Sequence, residues 1–164
     1  MDPNYINRPV QLIDAIALQH CAWPNYSLSA VEALLKRVMA RVAEGRAVGL
    51  VVANHLTNEA FAYGQITRWP RVAEISDLAV AIDQRGKGIG SALIKELIRS
   101  TGHWQKTQIE IGVALSNTRA LALYHRLGFV DTRIVMLDLG YGLESVLYLT
   151  LARDTSPESQ SKTD

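Results

Sequence analysis

Cysteine is almost absent: Cys21 is the only one in 164 residues. That excludes an intramolecular disulfide and any cysteine-rich metal site, and it fits a cytoplasmic compartment. A surplus of charge is also missing. Net charge is +1, with 17 Lys and Arg against 16 Asp and Glu. Composition therefore gives no electrostatic reason to expect a nucleic acid or an anionic membrane as partner. No apolar run reaches the roughly 20 residues that a membrane-spanning helix needs. Met1 to Tyr5 lacks a basic region followed by an apolar run, so it does not read as a signal peptide. There is no internal repeat.

What is present is an ordinary globular composition, 48% apolar. A chain of this length suits one domain, and such a domain buries roughly 70% of its unfolded surface without help from a disulfide or a metal. Residues 1–153 are expected to form it. The wholly polar stretch from Asp154 to Asp164 reads as a flexible tail, because it has little to bury against the entropy of ordering.

Along the chain, Pro9 to Cys21 reads as a short helix and Ala22 to Leu28 as a loop. Ser29 and Glu32 fit a capping box at the head of a second helix. Val31, Leu34, Leu35, Val38, Met39 and Val42 mark its buried face, and Glu44 with Gly45 closes it. Ala47 to Asn54 and Ala60 to Arg68 are strand-like, with a turn containing Asn58 between them, so a hairpin is expected. Val72 to Ile82 is a third run whose apolar phase slips: Ile75 is odd-numbered, while Leu78 and Val80 are even. One extra residue, a β-bulge, produces such a slip.

Leu93, Ile94, Leu97 and Ile98 mark a helix, and Ile109, Ile111 and Val113 a strand. Ala120, Leu123, Tyr124 and Leu127 mark a further helix ended by Gly128. Strands from Val130 to Leu137 and from Leu143 to Ala152 complete the order. Interspersed strands and helices of this kind imply an α/β or α+β layered domain.

The stretch Arg85-Gly86-Lys87-Gly88-Ile89-Gly90-Ser91 lies between a strand and a helix. Glycines at alternate positions let backbone N–H groups approach a ligand closely. The opening helix adds unpaired N–H groups and the positive end of its dipole, and Arg85 and Lys87 add charge. The loop suits a phosphate or pyrophosphate. A P-loop fails on spacing, since Gly90 is followed directly by Ser91. The dinucleotide fingerprint fails too, since Ser91 falls on its last glycine. A glycine-rich turn with no ligand is the remaining alternative.

Two blocks resemble one family. Arg85-Gly86-Lys87-Gly88-Ile89-Gly90 fits the Q/R-x-x-G-x-G/A signature of the GNAT family of N-acetyltransferases. Val113 to Phe129 is similar to that family's V-x-x-x-N-x-x-A-x-x-L-Y-x-x-x-G-F pattern, through Asn117, Ala120, Leu123, Tyr124, Gly128 and Phe129. The likeness is close from Val72 to Phe129. One departure is Ile82, where many members carry proline.

The resemblance implies a mixed, mostly antiparallel sheet of about six or seven strands with about four flanking helices, its fourth and fifth strands splayed. It implies acetyl-CoA as co-substrate, with pantetheine along Leu78, Ala79 and Val80 and beside Asn117. The diphosphate would rest on Arg85, Gly86, Lys87, Gly88, Ile89, Gly90 and Ser91. It implies transfer of an acetyl group to a primary amine of a small molecule or protein by direct attack on the thioester, and it is compatible with a homodimer. A larger acyl donor and a non-catalytic acyl-CoA-binding regulatory module are the alternatives.

Such chemistry needs an amine freed of its proton, a donor for the developing oxyanion and an acid for the leaving thiolate. Tyr124 matches the family tyrosine near the sulfur and is the expected acid. A thiol's unperturbed pKa is about 8.5 against about 10 for tyrosine. Glu74, eleven residues before Arg85, stands where several members carry a basic glutamate. It is the expected base, acting through a water, with Asp77 the second candidate. His103 and His125 are weaker ones. A backbone N–H near Val80 is the expected oxyanion donor. Asn117 also reads as an N-cap. Trp23, Tyr26, Trp69 and Tyr141 lie in loops that, by the resemblance, shape the acceptor pocket; one or two of the four are expected to line it, and the others to cover the core.

Overall fold

An apolar strand needs cover on both faces, and Ala47–Asn54 receives it. The computed structural model describes residues 4–105, 108–140 and 142–152. They form two compact units: one runs to Trp69 and resumes over Glu74–His103, and the other takes Pro70–Ala73 and the residues from Trp104 on. Among the described residues, seven strands and four helices make a mixed α+β fold with mostly antiparallel strands. Among the described residues no helix is long and apolar enough to cross a membrane.

In the first unit the strands run in the order β1 (Tyr5–Pro9), β2 (Ala47–Asn54), β3 (Ala60–Arg68) and β4 (Ala73–Val80). Helices α1 (Asp14–Cys21) and α2 (Leu28–Ala43) pack on this sheet. Val31, Leu35 and Val38 of α2 join Leu18, Val51 and Tyr63 in one core cluster. Helix α3 (Ile89–Ser100) also packs on β2 and β3. Gly64 admits α3 closely: a Cβ there would lie 2.9 Å from Leu78 Cδ1 and 3.1 Å from Leu97 Cδ1.

Three expectations fail here. Tyr5–Pro9 is a strand paired with β2 from Tyr5↔Asn54 to Pro9↔Leu50, and the helix expected from Pro9 begins only at Asp14. Proline lacks an N–H, which an edge strand tolerates at its end. A bidentate pair from Arg8 to the buried Asp14, at 2.7 and 2.9 Å, holds the turn that follows. Second, the cap of α2 is Ser27, whose Oγ accepts from the Ala30 N–H at 3.2 Å; Ser29 only meets the Ser27 hydroxyl. Third, Met39 and Val42 are exposed, because the sheet covers a narrower stripe of α2 than the sequence spacing implies. The β2–β3 hairpin and the closure by Glu44 and Gly45 are as expected.

In the second unit β7 (Leu143–Ala152) pairs with both β5 (Gln108–Ala114) and β6 (Val130–Asp138). Ile109, Ile111 and Val113 are all buried, as alternation predicts. Helix α4 (Thr118–Arg126) follows β5, and Gly128 ends its turn with φ +89°. The tail from Asp154 and Tyr141 lie outside the described residues.

Candidate active site

Helix α3 starts without a side-chain cap. Gly88, its N-cap residue, has φ +78°, and Gly86 has φ +82°. Both angles favour glycine, and a Cβ at Gly88 would meet nothing within 4 Å, so the loop's surface is open there. The first backbone bond of the helix runs from Ala92 N to Gly88 O at 3.0 Å. Among the described residues no backbone acceptor takes the N–H groups from Gly86 to Ser91. A helix end of this kind attracts an anion through these donors and its dipole.

The loop is braced from behind. Arg85 Nε donates to Val80 O at 3.1 Å, tying it to the end of β4. Gln84 Oε1 accepts from both Lys87 Nζ and the Tyr5 hydroxyl, each at 3.0 Å. Tyr5 stands edge-on to Phe61, with ring centroids 4.8 Å apart. Gln84 and Tyr5 were not singled out by sequence, because β1 was not foreseen. Leu78, Ala79 and Val80 are half-buried at the end of β4.

Asp77 of β4 is the one non-glycine residue within a described strand that has a positive φ, +53°, and it lies between Ile75 and Leu78, where the apolar phase slips. Its carboxylate is held by neighbours. Gln65 Nε2 donates to Asp77 Oδ2 at 2.7 Å and to Ser76 Oγ at 2.9 Å. The Tyr63 hydroxyl donates to Gln65 Oε1 at 2.8 Å. Asp77 keeps an exposed edge, yet protein packed around it pushes its carboxyl pKa up; Ser76, Arg37 and Arg41 partly oppose that. Burial likewise raises the Tyr63 phenol far above its ordinary range, with the Asp77 charge adding to the rise.

Glu74 lies on the same strand, and its Oε2 accepts from Trp69 Nε1 at 2.7 Å. Arg41 stacks over the Trp69 ring at 5.6 Å. Glu74, Asp77 and Trp69 are thus brought into one neighbourhood with Gln65, Tyr63, Arg37 and Arg41. Sequence reading missed these last four. A glutamine inside the apolar run of β3 was the available signal, since a buried amide needs partners.

In the second unit Asn117 Oδ1 accepts from the Ala120 N–H at 3.1 Å, capping α4. Tyr124 is buried beside Phe129, with ring centroids 6.2 Å apart. Burial pushes its phenol up to about 12, so its proton is held throughout the neutral range. His125 meets Asp131 at 2.7 Å on the surface, and His103 is exposed. Of the loop aromatics, Trp23 packs edge-on to Tyr63 at 5.5 Å, whereas Tyr26 is exposed.

The chain is similar to known acetyltransferases in sequence and in fold. The model of the acetyltransferase (GNAT) family matches residues 14–129. An uncharacterized N-acetyltransferase of Methanocaldococcus jannaschii is 39% identical over 64 residues, a stretch covering 39% of this chain and 28% of that protein. The structure of YncA from Salmonella typhimurium, solved with its cofactor acetyl-CoA, has a TM-score of 0.72 at 18% identity over 95% of this chain and 96% of the other. RimL, a ribosomal L7/L12 α-N-protein acetyltransferase in complex with coenzyme A, has a TM-score of 0.78 at 14% identity over 94% and 97%. The two solved structures speak to the fold, and the family match speaks to descent: the chain belongs to the GNAT acetyltransferase family.

Proposed function

We propose that this protein is an acetyl-CoA-dependent N-acetyltransferase acting on a primary amine of a small molecule or protein. The single observation that carries the reading is the uncapped N-terminus of α3, with Gly86 and Gly88 in the left-handed region. Those donors and the Lys87 ammonium suit a diphosphate, which is the polar anchor of coenzyme A. Leu78, Ala79, Val80 and Asn117 are the proposed contacts of its pantetheine arm. Residues 1–153 are read as one acetyltransferase domain.

The reaction is an attack of amine nitrogen on the thioester carbonyl. A C–N bond forms, and the C–S bond breaks. The proton lost by the ammonium goes to Glu74 through a water, in this reading. The thiolate takes a proton from the Tyr124 hydroxyl, and the second proton of the attacking nitrogen, released as the amide forms, restores the phenol. Developing charge on the carbonyl oxygen falls to a backbone N–H near Val80.

An acceptor screen that follows free CoA tests this. Turnover is expected with at least one amine, and Tyr124→Phe should lower kcat while acetyl-CoA affinity is kept. Acetyl-CoA binding without turnover on any amine favours the non-catalytic regulatory module. Absence of any heat or thermal shift with acyl-CoA at millimolar ligand overturns both.

A further inference from the structure

The polar group on the first unit has an order that points to its ligand. Tyr63 donates to Gln65 Oε1, which fixes the glutamine amide in one orientation. Its nitrogen must then face β4, where it serves Asp77 Oδ2 and Ser76 Oγ. Ser76 Oγ adds a second contact to the same Oδ2 at 3.3 Å. Both donors engage one oxygen, and among the described residues nothing hydrogen-bonds Asp77 Oδ1. A carboxylate anchored through one oxygen presents the other to a cation.

Opposite charge acts on it from α2. Arg37 and Arg41 lie one turn apart on α2, and both act electrostatically on Asp77. Arg41 is engaged by the Trp69 ring, whose indole N–H holds Glu74. Arg37 is exposed, acts on Tyr63 as well, and has no ion-pair partner within 4.0 Å among the described residues. Two carboxylates and two guanidiniums therefore balance to zero. A diamine would set its second cation against the arginines. A plain alkylamine would leave Arg37 unmatched. A ligand carrying both charges matches each.

We propose that the acceptor is a small zwitterionic amine, an α-amino acid in class, with its ammonium on Asp77 Oδ1 and its carboxylate on Arg37. The inference rests on the acetyltransferase reading above and narrows its acceptor. Asp77 and Arg37 are then specificity-determining residues, and Gln65 with Tyr63 positions the carboxylate. An anion on a guanidinium is a charge-assisted contact, so its loss registers mainly as weaker acceptor binding.

The test gives the full chain acetyl-CoA and the common L-amino acids, each set against its decarboxylated amine and its amide, while free CoA is followed. At least one amino acid should turn over with kcat/KM about tenfold or more above both neutral-tailed counterparts. Arg37→Gln, at an exposed position, should raise the KM for that amino acid about tenfold, well beyond any change for the decarboxylated amine, and leave the KM for acetyl-CoA unchanged. Arg37→Lys should recover part of the loss. Equal or better use of the decarboxylated amine overturns the proposal and leaves the acetyltransferase reading standing. So does acetyl-CoA binding, by calorimetry, with no amino acid turned over. Failure of acetyl-CoA itself to bind removes both.

Discussion

Two helices of this protein begin in opposite ways. Helix α4 opens on Asn117, whose side chain takes the Ala120 N–H. Helix α3 opens on Gly88, which has no side chain to offer and leaves the first-turn donors bare. Helix α2 follows the first pattern, through Ser27. A side-chain cap is the ordinary answer to unpaired N–H groups. Helix α1 also lacks a side-chain cap, but only α3 opens behind two glycines in the left-handed region, and that is the end proposed to take the diphosphate.

The sharpest way to break this contrast is to close the open end. Gly88→Val adds a branched side chain at φ +78°. It should raise the dissociation constant for acetyl-CoA by about two orders of magnitude, from left-handed strain together with blocked donors. Calorimetry checks this, and an unchanged affinity would detach the loop from the cofactor. Next in size is Tyr124→Phe, expected to lower kcat about a hundredfold in steady-state assays with little change in cofactor binding.

Acidity supplies a smaller effect. Asp77 has its pKa raised by burial, and it must be ionised to hold an ammonium. As pH falls, acceptor kcat/KM should therefore be lost at a pH above the ordinary aspartate range. Asp77→Asn should abolish that limb, whereas Glu74→Gln should leave it in place; pH–rate profiles of the two variants decide. Tyr124 contributes a linkage of its own. Its folded value, about 12, exceeds the unfolded value near 10. Stability from the buried neutral phenol is thus complete below pH 10 and is lost as pH rises through 12, so alkaline denaturation of Tyr124→Phe should be less steep over that window. The smallest effect belongs to the capped end. Asn117→Ala should cost about 1 kcal/mol in urea unfolding, which compares an ordinary cap with the open one.

Much of this architecture was legible in the chain. Strand β5 alternates cleanly because one face is buried, and β2, β3 and β7 have the limits that the apolar runs suggested. The broken apolar phase between Ile75 and Leu78 signalled an irregular strand, and the positive φ at Asp77 falls inside that interval. Other features stayed hidden for physical reasons. A five-residue edge strand such as β1 carries too little pattern to announce itself. Ser27 and Ser29 are chemically equivalent candidates for one cap, and only the path of the preceding loop selects between them. Gln65 and Asp77 lie twelve residues apart on different strands, so their meeting depends on how those strands are placed. The electrostatic link from α2 to β4 depends on tertiary packing in the same way.

Gly64 sits under the side chains of Leu78, Leu93 and Leu97, and Leu78 is the neighbour of Asp77. One methyl group at position 64 would press first on Leu78. That methyl end of Leu78 can rotate aside, so what a residue larger than glycine at position 64 would disturb is the close seat of α3 on β3, a packing effect with no change of charge.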